Sequence, residues 1–139
     1  MTYATPSSTY RDVDVLSSSP EQLVPLLYKH LLVNLRRAIL CIRRKDIEGQ
    51  FESVAKAADI IAELRGVLDL EAGGDLSIQL SSLYGFWAKE ISEAGAALDA
   101  KRFERVAAMV AQLHESWESA ARAVQSGDDG VSQDGAPRG

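Results

Sequence analysis

From Pro20 onward, apolar residues return every three or four positions through four successive stretches, the spacing that places a stripe along one side of an α-helix. The first stretch carries Leu23/Val24, Leu27, Leu31, Leu35, Ala38 and Ile42. The second carries Ile47, Phe51, Val54, Ala58, Ile61 and Leu68, with Ala55, Ala57 and Leu64 beside them. A third runs through Leu76, Leu80, Leu83/Tyr84, Trp87, Ile91, Ala94 and Leu98. The fourth and cleanest reads Phe103, Val106, Val110, Leu113, Trp117, Ala120 and Val124.

Local chemistry sets the ends of these helices. Ser19-Pro20-Glu21-Gln22 is a start signal, with Ser at the N-cap, Pro where its missing N–H costs nothing, and Gln completing a capping box. The first helix is therefore predicted from Pro20 to about Arg44. Pro25 lies inside it and removes the bond its N–H would give to the Glu21 carbonyl, so a bend is expected there. Asp46 can cap a second helix reaching about Leu68, and a connector this short forces the pair antiparallel. Asp69-Leu70-Glu71-Ala72-Gly73-Gly74 breaks the pattern. Asp75 can cap the third helix, and a turn at Asp99-Ala100 leads into a fourth from about Lys101 to Gln125. The pattern predicts an all-α fold, an antiparallel up-down-up-down four-helix bundle over residues 19–125. A flexible N-terminal arm over 1–18 and a disordered tail over 126–139, rich in Gly, Asp, Ser, Gln and Pro, flank it.

Composition narrows the class. A chain of 139 residues suits one domain. Its formal charge of −5 disfavours a nucleic-acid backbone. The single cysteine, Cys41, excludes an internal disulfide and a cysteine-rich zinc site and fits a reducing compartment, which makes the cytoplasm the expected location. No apolar run reaches the roughly 18 to 20 residues of a membrane span, and the polar start lacks the basic and apolar regions of a signal peptide, so neither membrane insertion nor general secretion is expected.

The search for chemistry returns little. His30 and His114 are the only histidines and no Glu-x-x-His pair exists, which removes the ligand set of a carboxylate-bridged di-iron bundle. Cys41 lies between Leu40 and Ile42 and reads as apolar filling, despite Arg43 and Arg44 nearby. Gly73-Gly74 lacks the Lys-Ser/Thr of a phosphate loop. The basic streak from Arg36 to Lys45 reads as a solvated face whose cations favour a helix C-terminus. No catalytic residue, cofactor or metal is expected. Trp87 and Trp117 fall on core stripes. Leu83-Tyr84-Gly85-Phe86-Trp87, however, stacks more apolar bulk than one helix face can hide, and part of it should border a groove.

Five landmarks, in order and spacing, resemble the FliS family of flagellin-specific export chaperones over residues 10–121. They are Tyr10 before Ser19-Pro20, Glu21-Gln22-Leu23 with Leu27-Tyr28, Ala57 to Leu64 with Leu68-Asp69, Leu83-Tyr84 with Glu93-Ala94, and Trp117. Pro25, Lys29-His30 and Gly95 depart from that pattern. The resemblance implies a cytoplasmic helical bundle that is not an enzyme. It would hold the C-terminal segment of flagellin in hydrophobic grooves, prevent premature polymerisation and assist flagellar type III secretion. The implied partners are that flagellin segment and the flagellar export apparatus, with a co-chaperone or anti-sigma factor as further candidates. The alternative is a generic helical-bundle adaptor or dimerisation module. Contacts are expected at Tyr10 in the arm and at Ser19, Pro20 and Leu23 where the first helix begins. Further contacts are expected where helix faces exceed one core stripe: Ile47, Val54, Ile61, Leu64, Tyr84, Ala107, Val110 and His114. The arm, through Tyr10 and Val13/Val15, is expected to cover a groove until flagellin arrives.

Overall fold

A computed structural model describes residues 20–69 and 72–135, with side chains described for 23–69 and 72–123. The arm expected over 1–18, with Tyr10, lies outside the described residues, as does Ser19. Four helices follow in order: α1 (Pro20–Arg43), α2 (Ile47–Gly66), α3 (Gly74–Ala97) and α4 (Ala100–Gly135). α1 continues as helix through Pro25, whose side chain is buried. Beyond Gln125, where composition predicts a structureless tail, α4 continues to Gly135. Adding a residue to an existing helix avoids the cost of nucleating one, which offsets a weak helix-forming composition.

α1 packs against α2 and α4, and α3 packs against the same two, so the helices form a closed ring with α1 and α3 diagonal. The directions alternate. Arg43 at the end of α1 pairs with Glu104 near the start of α4, and Gly95 near the end of α3 faces Gln50 near the start of α2. The core along the axis includes Leu31, Leu35, Ile60, Ile61, Leu64, Trp87, Ile91, Phe103, Val106 and Val110, all buried. Each fully buried aliphatic side chain among them contributes about 1.5–3 kcal/mol.

Turn chemistry explains the register. Lys45 takes a left-handed conformation (φ 62°) to end α1, and Asp46 caps α2 by accepting the Gly49 N–H at 2.9 Å. Before α3 the paired glycines are required by the backbone: a Cβ on Gly73 would lie 2.6 Å from the Asp69 carbonyl oxygen, and Gly74 has φ 60°. Gly73, without a side-chain bond, is the N-cap of α3. Asp75 therefore does not cap it but sits in the first turn, where its charge favours the helix dipole. Asp99 caps α4, accepting from the N–H groups of Lys101 (3.1 Å) and Arg102 (3.3 Å). Arg102 then ties α4 to α3 through Glu90 (2.6 Å) and Glu93 (2.8 Å), and this hydrogen bonding holds the Glu90 carboxyl below the usual carboxylate range.

Candidate partner-binding surface

α2 carries two apolar stripes, and packing uses one. Its core stripe contains Ala57, Ile60, Ile61 and Leu64, with buried Gln50 and Ser53. A second stripe, Ile47, Phe51, Ala55, Ala58 and Ala62, follows the same helical period on the flank of the first and is exposed along its length, with Phe51 at 59%. The neighbouring side of α3 is unusually thin. A Cβ on Gly85 would lie 3.6 Å from the Arg65 guanidinium of α2, and one on Gly95 would lie 3.6 Å from Val54. Ser81, Ala88 and Ser92 fall on that same side by helical spacing. The strip along the α2–α3 seam, the trough, is thus lined mainly by alanine, serine and glycine, with the Arg65 side chain lying over Gly85 and with Gly95 buried against Gln50 and Phe103. Exposed Ile47 and Phe51 stand at one end and Ile78, 54% exposed, at the other. Small side chains permit an added helix to approach closely, since interaxial distance follows the residues at the contact.

The contacts expected from sequence divide sharply. Ile47 is exposed beside this trough, and Leu23, Val54 and His114 are half-buried. Ile61, Leu64, Tyr84, Ala107 and Val110 are buried in the core, which corrects the expectation that they form exposed surface. The reason is geometric: core and groove positions recur at the same period, and only the placement of neighbouring helices separates them. Pro20 opens α1, with its side chain among those not described. Phe51, Ala55, Ala58, Ala62 and Ile78 were not among the expected contacts. Their signal was present for the first four, as a run at three- and four-residue spacing from Ile47 left over once the core stripe is assigned.

Tyr84 belongs to an aromatic node that closes the ring diagonally. Its hydroxyl lies 2.8 Å from that of Tyr28, and the two rings stand edge-on at 6.2 Å. Trp87 packs against both, at 6.0 and 5.5 Å, and Trp117 lies 6.2 Å from Tyr28. Trp87 is buried as expected, while Trp117 is half-buried at the margin of the core. Burial pushes both phenols up, so they are protonated at neutral pH and act in packing. The Cys41 thiol is likewise held above its ordinary value, by desolvation and by the Asp46 carboxylate 3.8 Å away, the reverse of nucleophile activation. Among the described residues no three of His, Cys, Asp and Glu gather where they could hold a metal ion, and no helix is long and apolar enough to cross a membrane.

The family model described as Flagellar protein FliS matches residues 3–124. The flagellar secretion chaperone FliS of Salmonella typhimurium is 33% identical over 104 residues, covering 74% of this chain and 77% of that protein. FliS of Bacillus subtilis is 26% identical over 120 residues, or 86% and 89% of the two chains. FliSB of Pseudomonas aeruginosa is 29% identical over 107 residues, or 77% and 85%. The chain belongs to the FliS family of flagellar secretion chaperones.

Proposed function

We propose that this chain binds the C-terminal segment of flagellin in the cytoplasm, keeps it from polymerising and hands it to the flagellar export apparatus. The observation that carries this reading is the second apolar stripe of α2 beside the small-residue side of α3. It is apolar surface that packing within the chain leaves exposed, laid along a seam of small side chains. An unfolded segment that orders on binding gives up about 2–5 kcal/mol, so its host must offer long apolar grooves. A trough of this kind suits an amphipathic helix of the guest.

Calorimetric titration of the full chain with a peptide spanning the flagellin C-terminal segment tests this directly. Saturable binding is expected, together with a negative heat-capacity change from apolar burial. Phe51→Asp and Ala62→Glu should each weaken binding about tenfold or more, because each sets a charge into the trough. Both positions are exposed, so thermal melting should move little. Absence of binding, or affinity indifferent to both substitutions, would overturn the assignment. In that case a self-associating chain on sedimentation would favour the dimerisation module instead.

A further inference from the structure

The solvent face of α1 repeats with a period of seven. Leu26, Val33 and Leu40 are seven apart, and Lys29, Arg36 and Arg43 follow each of them three residues later. Arg37 and Arg44 extend the basic flank. Leu26 is half-buried, and Val33 and Leu40 are exposed at 42% and 44%, large values for apolar residues in mid-helix. Where α1 meets α4, Arg36, Ile39, Leu40, Arg43 and Glu104 line a groove of about 280 Å3. Arg43 pairs with Glu104, but among the described residues Arg36, Arg37 and Arg44 make no ion pair. A net-negative chain thus holds a basic ridge, unpaired among the described residues at Arg36, Arg37 and Arg44, around a heptad of apolar positions, over a length of about 27 Å at 1.5 Å per residue.

We infer that this face of α1 docks a second protein ligand, an acidic amphipathic helix with apolar residues every seventh position and Glu or Asp beside them. A seven-residue repeat is the pattern that keeps one helix in register against another, with flanking charges choosing the partner. The guest's apolar residues pack on Val33 and Leu40, one of them entering the groove at Arg36 and Arg43. Its carboxylates meet Arg36, Arg37 and Arg44. Charge complementarity singles out this occupant. A second copy of the same face would set like charges against each other, and two half-exposed aliphatic residues give a bilayer little to bury. The face lies across α2 from the trough between α2 and α3, so the inference does not rest on flagellin binding there.

The test uses the full chain and a fluorescent three-heptad peptide with Leu at each seventh position and Glu on both flanks, followed by anisotropy. Binding is expected, weakening about tenfold when salt rises from about 50 to about 300 mM. The double substitution Arg36→Glu, Arg44→Glu should weaken it by about tenfold or more, since it turns attraction into repulsion at two exposed sites. Leu40→Asp should do the same through the apolar seam, with melting temperatures unchanged in both variants and binding of the flagellin peptide retained. Equal binding of a peptide with Lys in place of Glu, or of one with its Leu residues out of register, overturns the inference. So does tighter retention, through the same arginines, of phosphatidylglycerol vesicles or single-stranded oligonucleotide, and so does a dimer that the arginine substitutions dissociate.

Discussion

Tyr28 and Tyr84 set the terms at the scale of single residues. Their shared hydrogen bond is buried, so removing one hydroxyl strands the other. Tyr28→Phe or Tyr84→Phe alone should cost about 1–3 kcal/mol, whereas the double Phe variant should cost less than the sum, a coupling that urea denaturation in a double-mutant cycle reads directly. The same pair makes stability sensitive to alkali. Both phenol pKa values are raised in the fold, so the unfolded chain loses these protons first. Their contribution is complete below about pH 10, the unfolded value, and falls as pH rises towards the folded ones. Melting temperature should therefore drop above that pH, and the double Phe variant should show a shallower drop. Equal slopes would remove the phenols from the account.

The helices themselves were legible where capping side chains announce them. Asp46 opens α2 as its position predicts, and Pro20 opens α1. The start of α3 was not, because a left-handed glycine, and no capping side chain, makes that turn. Lys45 carries a similar conformation without glycine's freedom, so Lys45→Gly should stabilise the chain by about 1 kcal/mol, visible as a higher urea midpoint. Two other glycines separate conformational freedom from fit. Gly85→Ala should gain about 0.5–1 kcal/mol, since its Cβ meets only ordinary contact with Arg65. Gly49→Ala should lose stability, because its Cβ would press on the Asp46 cap and come within 2.8 Å of the Cys41 sulfur. The trough was harder to see than any helix. Alanine and serine barely register in a search for apolar periodicity, so Ala62, Ser81 and Ala88 stand out in no stripe. The large residues Ile61, Leu64 and Val110 drew attention that burial in the core accounts for.

At the scale of the whole molecule, two unused surfaces lie on separate sides of α2, one apolar and one basic. Each can be challenged without disturbing the bundle, since the positions involved are exposed. Residues 1–18 carry Tyr10, Val13 and Val15, apolar side chains expected from the sequence to cover a groove in cis. If they do compete, their deletion should raise affinity for the flagellin peptide in calorimetry, and unchanged or lower affinity would end the competition model.

The glycine, alanine and serine bed between α2 and α3 has one more outcome. On the proposed reading, a bed of small side chains would sort a guest helix by its girth and greasiness more than by its spelling. Guests of quite different wording should be accepted so long as one side stays slim, and a single bulky ring on that side should lift the guest off along its length.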